Sequence, residues 1–219
     1  MSSIYTLTTW IIPLLLCIIL HEVAHGYIAL KLGDKTAWLM GRLNLNPVKH
    51  FDLVGSLIVP VFLWLLKAPI LFGWAKPVPV DFSKLNNPKR DTGLVALAGP
   101  MANLLLAIVF ILVGRIGLLI LPKSGVFTEW FMLNIKNGVS FSLLLCCFNL
   151  LPVLPMDGGR LLWSLLPKKL ANIYAESEKY GLFILIGVLF LLPMMGLDIV
   201  GWFIGTLYPI FAGFVSIFV

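Results

Sequence analysis

Charge is scarce in this chain. Of its 219 residues only 12% are charged, ten are acidic and three are histidine. An ordinary soluble domain carries about 25% charged residues, so that class is excluded. Cysteine is equally sparse: Cys17, Cys146 and Cys147 sit inside apolar runs without CxxC spacing. They read as small buried residues, and no disulfide framework follows from them. A basic region and a small-residue cleavage site are both missing from the first twenty residues, which therefore read as a retained span rather than a signal peptide. Internal repeats, low-complexity tracts and a soluble domain of useful size are also lacking.

Apolar residues fill the chain instead. They make up 60% of it, and the mean hydropathy is +1.01, so most of the chain must face lipid or other apolar helices. The net charge of +6 does not point to nucleic acid, because the basic residues fall between apolar runs instead of along one face.

The scarce polar residues are concentrated. Two of the three histidines stand in His21-Glu22-Val23-Ala24-His25, within the apolar run 8–32. On a helix, residues four apart project from one face. Both imidazoles can then hold one zinc ion, and the glutamate between them can reach a water at the metal. Ionisable groups are costly inside a membrane, which favours a functional site over two buried structural histidines.

A catalytic zinc commonly has three protein ligands. Of the ten acids, Glu22 belongs to the motif and eight lie in or beside polar connections. Asp157 alone ends an apolar span, between Pro152, Pro155 and the pair Gly158-Gly159. It is the candidate third ligand, with capping of a turn as the alternative. The prolines must break the helix there, and the glycines are expected to free the backbone.

In chain order the expected spans are 7–31, 93–114, 138–154, 180–192 and 199–219, with a mixed connection at 115–137. The run 53–71 is interrupted by Pro60 and is only about long enough to cross a bilayer. Read as re-entrant, it leaves thirteen of the 16 Lys and Arg on the cytoplasmic side, as the positive-inside tendency requires. Residues 72–81, with Pro77 and Pro79, exclude a helix and suit an edge strand or extended hairpin. Asn103 is an intramembrane amide in need of a partner, and His50 is read as a surface residue. The fold class is thus an all-α polytopic membrane protein of five to six transmembrane segments, with a re-entrant hairpin and a short β element near 72–81. Residues 1–161 form a catalytic core and 162–219 a polar connection with a C-terminal hairpin.

His21-Glu22-x-x-His25, Gly99-Pro100-x-x-Asn103 and Asn149-x-x-Pro152-x-x-Pro155-x-Asp157-Gly158-Gly159 together resemble the site-2 protease family of intramembrane zinc metalloproteases. The segment 72–80 is similar to one in its compact prokaryotic members. The resemblance implies that His21, His25 and Asp157 bind zinc and that Glu22 is the catalytic base. It implies that Asn149 and Asn103 help hold the substrate strand or the reaction intermediate. It also implies a single-span membrane protein or signal-peptide remnant as substrate, cut from the cytoplasmic side of a prokaryotic plasma membrane. The PDZ and CBS domains of larger members are absent from these residues, so selection falls to the membrane segments, the 72–81 strand or separate partners. Outside that resemblance, an inactive scaffold for transmembrane segments and a metal or proton transporter stay open. A transporter would show more polar groups or inverted repeats.

Overall fold

The computed structural model describes residues 3–66 and 73–218, apart from the side chains of Ser3 and Trp64. Five helical stretches are long and apolar enough to cross a membrane. The protein is a multi-pass integral membrane protein.

The core is a packed trio: α1 (Ser3–Lys31), α5 (Pro88–Ile120) and α6 (Val126–Asn149), each against the other two. At 29 and 33 residues, α1 and α5 run to roughly 43 and 50 Å. The hydrocarbon layer is only about 30 Å thick, so these helices project well beyond it. The connection expected at 115–137 is therefore mostly helix, and the true turn is 121–125, where Gly125 adopts φ +140°. Sequence polarity did not mark the helix ends there. Its polar side chains join helices: Trp130 Nε1 donates to Thr8 Oγ1 at 2.9 Å, and Asn137 Nδ2 to the Thr9 carbonyl at 2.7 Å. Further along the same seam the Cys17 and Ser142 side chains meet at 3.2 Å. All three cysteines are free and buried, as packing residues should be.

On the motif side of the trio, α2 (Thr36–Leu39) and α3 (Pro47–His50) fold back against α1. After them a π-helical turn (Val54–Ile58) leads into α4 (Val59–Leu65). The chain then returns to where this segment began: Trp74 N–H donates to the Gly55 carbonyl at 3.1 Å, and Ser56 Oγ donates to the Trp74 carbonyl at 3.0 Å. Residues 67–71 of the expected re-entrant run, and residue 72 of the expected β element, lie outside the described residues.

The β element is not formed. Residues 73–81 are extended, but no strand occurs among the described residues. Pro77 and Pro79 remove alternate N–H groups, and those of Trp74, Lys76, Val78 and Asp81 are each taken up singly. Lys76 N–H goes to the His50 carbonyl at 2.9 Å, and Asp81 N–H to Asp34 Oδ2 at 2.7 Å. Arg42 Nη2 donates to the Lys76 carbonyl at 3.0 Å. Asp81 then caps a 3₁₀ turn, Phe82–Lys84. Hydrogen bonds from Ser83, followed by Lys84, hold its carboxyl down at about 2. Protonation as pH falls towards that value would release this exposed staple.

His50 is not on the surface. It is 3% exposed, its Nε2–H donates to the Asn44 carbonyl at 2.8 Å, and it closes the 44–50 loop under the extended segment. After α6 the chain turns through Leu154-Pro155 into α7 (Asp157–Leu165), which packs on α5. The irregular rod Lys168–Met194 and a last helix, Ile199–Ser216, complete the fold. Val215 of the last helix enters the cluster of Leu104, Ala107, Leu143 and Cys146.

Candidate metal centre

Helical spacing places His21 and His25 on the buried face of α1, at 7% and 9% exposure. The break after α6 brings Asp157, first residue of α7, against them. Asp157 Oδ2 lies 3.2 Å from His21 Nε2 and 3.3 Å from His25 Nε2, and the two Nε2 atoms are 3.0 Å apart. With ligand bonds of about 2.0–2.1 Å, the edge of a tetrahedron around zinc is about 3.3 Å. The donors are therefore spaced for a single small cation. Oδ2 is buried and takes no hydrogen bond among the described residues, a costly state without a cation. The residues fit zinc.

The far side of each ring supports this. His25 Nδ1 is 2.7 Å from the Val95 carbonyl. A carbonyl only accepts, so Nδ1 carries the proton and Nε2 presents its lone pair. His21 Nδ1 meets the carboxamide of Asn103 at 3.2 Å. Asn103 is wholly buried, so the amide that lacked a partner in the sequence has one in His21.

Glu22 is half-buried and turned towards the extended segment: Val78 N–H donates to its Oε2 at 2.7 Å. Val78 itself packs on Gly26, one turn further along α1, where an added Cβ would come within 2.7 Å of Val78 Cγ1. Asn149 is apart from this cluster in its bonding. It ends α6 half-buried, and its Nδ2 donates to the Leu145 carbonyl at 2.9 Å.

Some contributors were not visible in the motif pattern. Gly99 lies against the ligand atoms themselves: a Cβ there would fall 2.3 Å from His25 Nε2 and 2.6 Å from His21 Nε2. The Gly-Pro pair suggested close helix approach, but not what was approached. Gly158 and Gly159 are helical, and neither has positive φ. Their role is space, since an added Cβ would strike the backbone of residues 150–154. The expectation that they free the backbone is corrected accordingly.

Buried paired imidazoles and an adjacent glutamate on a membrane-spanning helix, met by a carboxylate from α7, define a membrane zinc metalloprotease. The chain is 37% identical over 193 residues to the zinc metalloprotease YwhC of Bacillus subtilis, covering 84% of this chain and 80% of that one. It is 32% identical over 201 residues to the zinc metalloprotease Rip2 of Mycobacterium tuberculosis, covering 90% and 70%. The zinc metalloprotease MJ0392 of Methanocaldococcus jannaschii is 25% identical over 185 residues, covering 81% of this chain and 39% of that protein. No family model matches the chain, nor does any solved structure. The chain belongs to the site-2 protease family of zinc metalloproteases, and its cofactor is zinc.

Proposed function

We propose that the protein hydrolyses peptide bonds within or beside the transmembrane segments of single-span membrane proteins or signal-peptide remnants. The observation that carries this reading is the convergence of His21, His25 and Asp157 beside Glu22, with the histidines and the glutamate on a membrane-spanning helix. His21, His25 and Asp157 would hold the zinc. Bound zinc supplies Lewis acidity, which polarises a carbonyl and acidifies water.

The protein's own groups do the rest. Glu22, steadied through Oε2 by Val78 N–H, offers its other oxygen to take a proton from the attacking water and deliver it to the leaving amine. A helical substrate must unwind before attack, because its carbonyls are engaged in its own hydrogen bonds. The extended segment 73–81 lies beside the base, where an unwound strand could pair along its edge. Asn149, with its nitrogen engaged by Leu145, has an acceptor oxygen to offer that strand.

The test is cleavage of a single-span substrate by the zinc-loaded protein and by Glu22→Gln. Glutamine can still accept from Val78 N–H, so zinc content should be unchanged while turnover falls by about 10²–10⁴-fold, the usual worth of a general base. Equal cleavage by both proteins would overturn the role of Glu22.

The site is proposed to open to the cytoplasm, with 53–71 re-entrant. The bonding of residue 74 back to residues 55 and 56 supports this by returning the chain beyond the segment to its beginning. Single cysteines at the exposed positions Lys49 and Lys84 should label from the same face of sealed vesicles, against a background of three buried thiols. Labelling from opposite faces would refute the re-entrant arrangement.

A further inference from the structure

Asn103 sits on α5, one turn beyond Gly99, and is fully buried behind the first histidine. In the recorded orientation Nδ2 faces His21 Nδ1 at 3.2 Å, while Oδ1 has no partner among the described residues. That pairing requires Nδ1 to accept, which places the ring proton on Nε2, the atom needed by the metal. A half-turn of the amide exchanges two atoms of nearly equal size. Oδ1 then accepts from Nδ1–H, and Nε2 is left with its lone pair. One end of the amide lacks a protein partner in either setting, so the metal–imidazole bond decides between them.

We propose that Asn103 is a positioning residue for the zinc ligand His21, with its amide oxygen fixing the tautomer and the ring plane. The proposal rests on the reading that His21, His25 and Asp157 hold zinc. It removes Asn103 from direct handling of substrate, for which a wholly buried amide is badly placed. The two histidines are also held unequally. A backbone carbonyl, that of Val95, orients His25 and cannot be deleted by substitution. A side chain orients His21 and can be.

The experiment is chelator competition for zinc, with the cobalt(II) d–d spectrum as a second readout, on the full-length protein in detergent. Asn103→Leu keeps four side-chain heavy atoms branched at Cγ and suits a membrane helix, but it offers no acceptor. Its zinc affinity should fall about 10- to 100-fold, the usual effect of losing the partner of a ligating histidine, and its cobalt spectrum should change. Asn103→Asp restores an acceptor and should bring back the wild-type spectrum. Wild-type affinity and spectrum in Asn103→Leu would overturn the proposal. Should that variant not purify as a single species, Asn103→Ser replaces it, because its hydroxyl is too short to reach Nδ1. The same loss is then expected, and wild-type affinity again overturns the assignment. Zinc retained at wild-type affinity in His25→Ala would instead sink the metal-centre reading itself.

Discussion

Gly99→Ala is expected to abolish zinc binding and, with it, proteolysis. The new methyl carbon would lie 2.3 Å from His25 Nε2, 2.4 Å from His21 Cε1 and 2.6 Å from His21 Nε2. None of those atoms can retreat cheaply, since Val95 and Asn103 hold the rings from behind. Nor can α5 retreat easily, because it packs against α1, α6 and α7. Local propensity works the other way: alanine is favoured over glycine in a helix interior by about 1 kcal/mol. Loss of metal would therefore not be a by-product of a weaker helix. The measurement is zinc per chain by elemental analysis, with thermal unfolding recorded alongside. Gly205→Ala, inside the last helix where an added Cβ has nothing within 4 Å, should leave zinc unchanged and the unfolding temperature no lower. Full zinc in Gly99→Ala would show that α5 does not press on the ligands.

The contrast between Gly99 and the histidines marks what the sequence made legible. His21, Glu22 and His25 could be read from spacing, because two of only three histidines stand four residues apart on a helix with a glutamate between them. Asp157 stood out because the other acids outside the motif were in or beside polar stretches. Gly99 carried no such mark, since a glycine in a membrane helix has many uses and only the partner helix reveals which applies. His50 failed to read as buried for a related reason. Its partner is the backbone carbonyl of Asn44, and carbonyls have no sequence signature. The expected strand at 72–81 went astray at the next level. Pro77 and Pro79 excluded a helix there, as the described residues 73–81 show, but a strand needs a ladder. The groups that took its hydrogen bonds were scattered over Glu22, Asp34, Arg42, His50 and Gly55.

Those scattered bonds link the base to the rest of the polar side of the molecule. The segment is tied at Asp34, at the end of α1, and at Gly55, beside the apolar excursion. Between these anchors Val78 touches the α1 turn carrying Glu22. Glu22, the end of α1 and the start of the apolar excursion are thus joined through one short piece of chain.

Gly158→Ala should come second in severity, through Asp157. An added Cβ at Gly158 would fall 2.1 Å from the Leu150 carbonyl oxygen, 2.3 Å from its carbon and 2.5 Å from the Leu151 oxygen. These are backbone atoms in a loop shaped by two prolines, so the first turn of α7 must move instead. Asp157 would move with it, and metal sites tolerate displacements of only about 0.2 Å in ligand distance. Zinc affinity is expected to fall by at least about 100-fold, the upper end of what loss of a supporting residue costs. The two histidines should remain in place, since α1 and α5 do not depend on that turn. Cobalt spectroscopy at saturating metal should accordingly report a site that has lost its carboxylate, matching Asp157→Ala. Wild-type affinity and cleavage in Gly158→Ala would show that the loop at 150–154 yields to a methyl group. The need for the paired glycines would then belong to folding and not to the placement of the third ligand.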